Sequence, residues 1–244
     1  MAQIRFNIKP LKWVLFFSYF LTACYGTDSG KVLGSDAVSG NPARVPAGID
    51  PSKGAGSGCH NADPNHICLA VKYVAFADSN DQPAVTTEQG VSNFEAINQV
   101  WKQCNISFQI EDYFPIKPSR VSIPYNIANY SDLTDIRETF ADDKTLLVVT
   151  TGTWDRSGSL GQTGANAWTS LPGGGPYGAI LEKPVATYAN IIAHELGHYL
   201  NLNHVSNEAD IMNPIIYTRS TQLDPDQCAT ARSAALYFWT KMIR

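Results

Sequence analysis

The hydrophobic residues of the chain follow two periods, and each period predicts a different kind of element. Runs of β-branched and aromatic residues predict strands at 69–77, 106–110 and 145–151, with weaker strand patterns at 163–168 and 177–181. The run at 145–151 is almost continuously apolar, which is typical of a strand buried on both faces. The sequence Pro-Gly-Gly-Gly-Pro at 172–176 predicts a turn between the two weaker strands.

Three other segments have helical features. The sequence Thr-Thr-Glu-Gln at 86–89 is a capping-box signature. It precedes apolar residues that recur at helical spacing, namely Val91, Phe94, Ile97 and Trp101. A second helix is predicted at about 187–200, and a third begins with Asp224 as its cap and Pro225 at its first position and is expected to reach the C-terminus. Because we find no internal repeat and no second core, these elements predict one α+β domain.

The first residues of the chain predict export. Arg5, Lys9 and Lys12 precede the short apolar run 13–21, and no acidic residue interrupts them. A basic start followed by an apolar run too short to cross a bilayer comfortably is the pattern of a signal peptide. We therefore assign residues 1–23 to a signal peptide that is removed from the mature protein.

The end of this signal resembles the lipobox of bacterial lipoproteins. The sequence Leu-Thr-Ala-Cys occupies 21–24, and the resemblance implies acylation of Cys24, which then binds the protein to a lipid bilayer. The residue after the cysteine is Tyr25, whereas an Asp at that position would resemble an inner-membrane retention signal. The expected location is therefore the outer membrane, facing the periplasm or the surface. The alternative is an ordinary secretory signal with an incidental cysteine.

Composition divides the mature chain and excludes one class of partner. Residues 24–58 are rich in Gly, Ser, Ala and Pro and are predicted to form a lipid anchor and flexible tether, or a short pro-segment, before a domain at 59–244. Charged residues make up 16% of the chain, and the net charge of −4 becomes −7 without residues 1–23. No basic surface of the kind that nucleic acid requires is expected. We expect a monomer.

Four cysteines remain if Cys24 is acylated. An even number in an oxidising compartment predicts two disulfides, for which three pairings are open. Cys59 and Cys68 bracket a short polar loop, whereas Cys104 and Cys228 lie at the ends of two predicted helices. We favour pairing Cys59 with Cys68 and Cys104 with Cys228.

The most informative motif is HELGHYLNLNH, which begins at His194. On a helix, His194 and His198 lie one turn apart on one face, so both imidazoles can bind one metal ion with Glu195 beside them. The chain must turn to bring His204 to the same ion, and Asn201 is the non-glycine residue type best suited to the positive φ of such a turn. Three neutral imidazoles leave the fourth position of Zn²⁺ open, as in a catalytic site. Glu195 is the candidate general base.

This motif resembles that of the metzincin zinc peptidases, H-E-x-x-H-x-x-G-x-x-H, with Asn201 in place of the usual Gly. The sequence Asp-Ile-Met-Asn-Pro at 210–214 resembles the Met-turn below the zinc in that family, and Met212 followed by Pro214 is most similar to the matrixin branch. The resemblance implies a single metzincin-like catalytic domain with a twisted mixed sheet, an active-site helix, a C-terminal helix and one catalytic Zn²⁺.

The resemblance also implies a function, namely a zinc-dependent endopeptidase that cleaves a protein or peptide with a zinc-bound water and Glu195 as general base. The substrate is expected to lie along an edge strand at 164–168, and the pocket for the residue after the cleaved bond would be lined by Ile215, Ile216 and Tyr217. Tyr217 is alternatively a transition-state donor. The rival function is a catalytically inactive metzincin-fold lipoprotein that acts as an envelope binding or assembly module.

Two further groups of polar residues are weaker candidates. The first lies in the loop between Cys59 and Cys68 and consists of His60, Asp63 and His66. It predicts a second metal site, a ligand that blocks the zinc before activation, or simply a surface loop closed by a disulfide. The second group lies near strand ends and consists of Asp142, Asp143 and Asp155. For this group calcium binding and simple solvation both remain open.

Overall fold

The computed structural model describes Cys59 and residues 63–244. The predicted signal peptide, the acylation site Cys24, the tether at 24–58 and His60 lie outside the described residues. Among the residues that are described, no helix combines the length and apolar character needed to cross a membrane.

The domain is built on one five-stranded sheet with the strand order β2-β1-β3-β5-β4. The strands are β1 (Ile67–Phe76), β2 (Ile106–Ile116), β3 (Leu146–Thr151), β4 (Ala167–Trp168) and β5 (Ala179–Glu182). Strands β2, β1, β3 and β5 pair in parallel, whereas β4 pairs antiparallel with β5 at the edge of the sheet. The sheet is therefore mixed, as predicted, and its edge is the short strand β4.

Four helices cover this sheet, and their ends follow from local sequence. They are α1 (Thr87–Trp101), α2 (Tyr130–Phe140), α3 (Ala189–Tyr199) and α4 (Pro225–Phe238). Thr86 and Gln89 form both hydrogen bonds of a capping box at the start of α1, and Asp224 and Gln227 do the same for α4. The caps satisfy backbone N–H groups that have no partner within the helix. The three helices predicted from sequence are thus confirmed.

Apolar side chains fill both faces of the sheet. Along β3, Val148 packs into the core shared with α1, α3 and α4, whereas Leu147 and Val149 pack into a second core on the opposite face. Successive side chains of a strand point to opposite faces, so a strand covered on both sides needs apolar residues at every position. The prediction that this strand is buried on both faces is confirmed.

The helix α2 on the second face has no counterpart among the sequence predictions. Its segment is largely polar, and Leu133 and Ile136 are its buried apolar residues. A capping box formed by Asn129 and Asp132 fixes its start. Leu133, Ile136 and Phe140 recur at helical spacing, so the sequence does hold a weak signal for this helix among its polar residues.

Two predicted elements differ in extent. The strand predicted at 163–168 is limited to Ala167–Trp168, because residues 161–163 form a 3₁₀ turn and Gly164 has a φ of 75°. The last helix ends at Phe238 rather than at the C-terminus. Trp239 is buried there and donates its indole N–H to the Tyr199 carbonyl, and the chain then returns to pair Ile243 with Leu69.

Both disulfides have the pairing favoured from sequence. Cys59 is bonded to Cys68 at the start of β1, and Cys104 is bonded to Cys228 in the first turn of α4. The second disulfide joins residues 124 positions apart. It fixes the C-terminal helix to the segment that follows α1.

Candidate metal centre

Two histidines of α3 lie side by side, and the tautomer of each is fixed by a hydrogen bond. His194 and His198 are one helical turn apart and almost fully buried. The Nδ1 of His194 lies 2.7 Å from the Ile211 carbonyl oxygen, and the Nδ1 of His198 lies 2.8 Å from the Leu202 carbonyl oxygen. A carbonyl oxygen accepts but never donates, so each Nδ1 carries the proton. Each Nε2 therefore presents a lone pair.

The turn after α3 brings the third histidine beside these two. Asn201 has a φ of 64°, and the two hydrogen bonds of a Schellman motif form around it, from Asn201 N to the His198 carbonyl and from Leu202 N to the Gly197 carbonyl. The predicted left-handed turn is confirmed. The same Leu202 also orients the His198 ring, so the turn places one ligand and directs another.

The three Nε2 atoms converge. They lie 3.0 Å apart between His194 and His198, and 3.2 Å from His204 to each of the other two. Ligand nitrogens of a tetrahedral zinc site with ordinary bond lengths lie about 3.3 Å apart. Because the His194 and His198 lone pairs face each other without a proton between them, the site fits a cation.

Electrostatics favours the ligand form of these side chains. Burial lowers the pKa of all three imidazoles, that of His198 to about 4. Neutral imidazole is the form that binds a metal. Within the described part of the chain, these histidines form the one group of three His, Cys, Asp or Glu side chains whose ligand atoms converge.

Met212 packs against the helix that carries His194 and His198. A Cβ atom at Gly197 would overlap Met212 Sδ, so the methionine packs against the backbone of α3 between the two histidines. The Met212 carbonyl accepts a hydrogen bond of 3.0 Å from Val205 N, next to His204. The predicted Met-turn thus contacts both segments that carry metal ligands.

Glu195 is the acidic group beside the histidines. It is 4% exposed, and its Oε2 accepts a hydrogen bond from the Thr169 hydroxyl. Burial raises its pKa to about 7, although the Thr169 hydrogen bond and the positive charge of Arg137 act in the opposite direction. A carboxylate with a pKa near neutrality can both take and return a proton.

A cleft of about 560 Å³ opens above the histidines and Glu195. Residues 163–167 line it and overlap the segment 164–168 that is predicted to bind substrate, although Trp168 is not among the lining residues. Pro214, Ile215 and Ile216 line it as well. Tyr217 is not among the lining residues, and its ring lies instead 4.7 Å below the guanidinium of Arg219. The structure thus brings two of the three predicted pocket residues to the cleft.

The weaker candidates of the sequence have other partners. His66 Nδ1 lies 2.9 Å from Asn105 Oδ1 and its Nε2 lies 2.7 Å from Ser107 Oγ, so both ring nitrogens are hydrogen-bonded. Asp63 accepts from the side chain of Asn105. The three carboxylates considered for calcium contact three different residues: Asp142 pairs with Lys72, Asp143 with Lys241, and Asp155 bonds Ser157.

Two polar residues next to the centre carried no sequence signal. Thr169 follows β4 directly, and Arg137 of α2 donates to the Trp168 and Gly178 carbonyls. Both are distant in sequence from the HELGH motif, and neither has a diagnostic spacing to it. Their role depends on the fold, which alone brings them beside Glu195.

The chain is similar to one known protein family and to several solved structures. The sequence model described as Matrixin matches residues 70–237, whereas comparison with curated proteins finds no match. Among solved structures, metalloproteinase-II from Bacteroides fragilis is similar at 16% identity and a TM-score of 0.45, over 73% of this chain and 60% of that one. Archaemetzincin from Methanopyrus kandleri is similar at 15% identity and a TM-score of 0.46, over 71% and 98%.

The chain therefore spans 60% of the length of the Bacteroides fragilis structure. The family match covers more than half of the chain and includes the three histidines, the helix α3 that carries two of them, and all or most of each strand of the sheet. The chain belongs to the matrixin family of metzincin-like zinc metallopeptidases.

Proposed function

We propose that the protein is an endopeptidase in which His194, His198 and His204 hold one catalytic Zn²⁺ and Glu195 is the general base. The observation that carries this proposal is the convergence of three Nε2 atoms, two of them with tautomers fixed by carbonyl groups, beside a buried carboxylate. A purely structural zinc site has no use for such a carboxylate. Three protein ligands leave a position open.

The zinc, when bound, polarises the scissile carbonyl and acidifies water. The proton transfers are assigned to a residue of the chain. Glu195 accepts a proton from the attacking water and later gives it to the nitrogen of the leaving amine. Glu195 is buried beside the three histidines and lines the cleft, which places its carboxylate where both transfers occur.

The walls of the cleft suit an extended peptide. The strand β4 lies at the edge of the sheet, and an edge offers unpaired backbone groups with which a substrate can form main-chain hydrogen bonds. Ile215 and Ile216 also line the cleft and favour an apolar side chain after the cleaved bond. We infer a protein or peptide substrate with that preference.

The test of this function compares the wild type with Glu195→Ala. Zinc content and cleavage of a denatured general protein are measured on the same samples. We expect both proteins to hold zinc and the wild type alone to cleave. Equal cleavage by both would contradict the role of Glu195, and zinc without cleavage in the wild type would favour the envelope binding or assembly module.

We also propose that the protein is an exported lipoprotein of the outer membrane. The signal pattern of residues 1–23 and the Leu-Thr-Ala-Cys sequence that ends at Cys24 support this proposal. Cell fractionation of a Cys24→Ala variant is the test. We expect the variant to leave the membrane fraction, and continued partition with membranes would contradict acylation at Cys24.

A further inference from the structure

We propose that Thr169 is a positioning residue, whose hydroxyl fixes the carboxylate of Glu195 in the orientation that faces the cleft. This inference rests on the proposed function, in which Glu195 is the general base. It concerns a residue outside the metal-binding motif and outside the Met-turn. It also connects the base to the strand along which the substrate is expected to bind.

The contact between the two side chains is fully buried. Thr169 is 0% exposed, and its Oγ1 donates a hydrogen bond to Oε2 of Glu195. Among the residues that the structure describes, this hydroxyl is the group that hydrogen-bonds the Glu195 carboxylate. A carboxylate held at one oxygen keeps the other available for a proton from water.

Threonine is a suitable residue type for orienting the Glu195 carboxylate. Threonine is branched at Cβ, so its χ1 rotation is restricted and its hydroxyl has a defined direction. The donor is a neutral hydroxyl, so it orients the carboxylate through a single hydrogen bond.

Arg137 fixes the backbone that carries this threonine. Its Nη2 lies 3.1 Å from the Trp168 carbonyl oxygen, and its Nε lies 3.1 Å from the Gly178 carbonyl oxygen. Trp168 precedes Thr169, so one buried side chain joins both ends of the segment 168–178. The position of the hydroxyl is thereby tied to the end of β4.

This arrangement has a kinetic consequence. Thr169 lies at the end of the edge strand but presents its hydroxyl to Glu195 rather than to the cleft. Its loss should therefore disturb the proton transfer and leave substrate binding intact. The expected signature is a lower kcat with an unchanged KM.

The experiment uses Thr169→Val, which keeps the shape and removes the hydroxyl, and Thr169→Ser, which restores it. Thr145→Val is the matched control, because the buried Thr145 hydroxyl also donates to a carboxylate, that of Asp142, at 2.9 Å. All are made in the full chain. Zinc content, kcat, KM and the urea midpoint of unfolding are measured for each.

We expect Thr169→Val to lower kcat by about 10- to 100-fold, the scale of a misplaced catalytic group. KM and zinc content should be unchanged, and Thr169→Ser should recover most of kcat. Thr145→Val should lower the urea midpoint and leave kcat alone. A wild-type kcat in Thr169→Val, a loss confined to KM, or no recovery with serine would overturn the inference.

A measurement without substrate separates this inference from the proposed function. Thr169→Val should shift the urea midpoint more in the wild-type background than in the Glu195→Ala background, because the bond needs both partners. Equal shifts would overturn the inference. If Glu195→Ala cleaves like the wild type, the proposed function fails; if it is inactive while Thr169→Val is fully active, that function stands and Thr169 has no positioning role.

Discussion

Two buried glutamates, Glu182 and Glu195, have opposite surroundings. Glu182 is 1% exposed, and its Oε1 forms an ion pair of 2.5 Å with Arg156 while its Oε2 accepts from Trp154 N at 2.9 Å. Glu195 is 4% exposed and has the neutral hydroxyl of Thr169 as its partner. Both carboxylates are shielded from water, but Glu182 forms a direct ion pair with an arginine, whereas Glu195 accepts its hydrogen bond from a neutral hydroxyl and the charge of Arg137 only partly offsets its burial.

The difference indicates how the domain separates structure from chemistry. Arg156 also donates to the Ala165 carbonyl at 2.8 Å, so its pair with Glu182 holds the wall of the cleft in place. Glu195 has a pKa of about 7 because of its burial. A buried carboxylate with an ionic partner stabilises a loop, whereas one without such a partner is ready to exchange protons.

The strongest test of this comparison is Glu195→Gln. We expect the rate of cleavage to fall by about 10² to 10⁴, because the amide cannot accept the proton. The free energy of unfolding should not fall, because the neutral amide is less costly to bury than a carboxylate. Cleavage kinetics and urea unfolding of the zinc-loaded protein measure both. A destabilised variant that still cleaves would reverse the assignment of the two glutamates.

Glu182→Gln should have the complementary effect. It leaves Arg156 without its anionic partner, and we expect a loss of about 2 kcal/mol, below the value for a fully buried pair because Arg156 is 46% exposed. KM should rise several-fold with little change in kcat, since the cleft wall loosens. Thermal unfolding and steady-state kinetics are the measurements.

The matched control for this variant is Glu208→Gln. Glu208 also pairs with an arginine, Arg219, but both side chains are more than half exposed. We expect no more than about 0.5 kcal/mol for the control. Equal losses in the two variants would show that burial does not distinguish the two ion pairs.

The pH dependence of stability tests the role of Asp142, a carboxylate that pairs with Lys72. Burial raises its pKa, but the hydrogen bond and charge of Lys72, with bonds from Lys144 N and Thr145, lower it by more, so the net pKa lies below the ordinary value of an Asp. A depressed pKa contributes stability that is present above the unfolded value and is lost as the pH falls through the folded one. Urea unfolding should show Asp142→Asn about 1 kcal/mol less stable than the wild type at pH 6.

That difference should shrink towards zero as the pH falls through the depressed pKa of the wild-type carboxyl, because that group is then protonated as well. This pH dependence of stability has the opposite sign to that expected for a carboxyl group whose pKa is raised by burial. A difference that does not shrink as the pH is lowered from 6 to the acid limit at which the wild type still folds would contradict the ionic role of Asp142.

The smallest effect is expected at Asn201, which supports the centre through the backbone alone. Asn201→Gly should change the free energy of unfolding by no more than about 0.5 kcal/mol and leave cleavage unchanged, because glycine also adopts a φ of 64°. Asn201→Ala should cost about 1 kcal/mol. Urea unfolding distinguishes them, and equal stabilities would show that the turn is not limited by φ.

The metal centre was predictable because its geometry is local. A helix places His194 and His198 on one face, and few residue types tolerate the turn at Asn201. The capping boxes of α1 and α4 are equally local, since each lies within four residues. In such cases the residue types and their spacing already determine the contact.

The supporting residues were not predictable for the opposite reason. The bond from Thr169 to Glu195 spans 26 residues, and that from Arg137 to Trp168 spans 31. The strand β4 has two residues, too few to show alternation. These features exist because the sheet and α2 bring distant segments together.

Titration of the metal-free protein with zinc tests the central claim most directly. If His194, His198 and His204 hold one catalytic ion, cleavage should rise linearly with added zinc and level off at one zinc per chain, and His204→Ala should show no such rise. Full cleavage without zinc, or a plateau that requires two ions per chain, would contradict a single three-histidine centre.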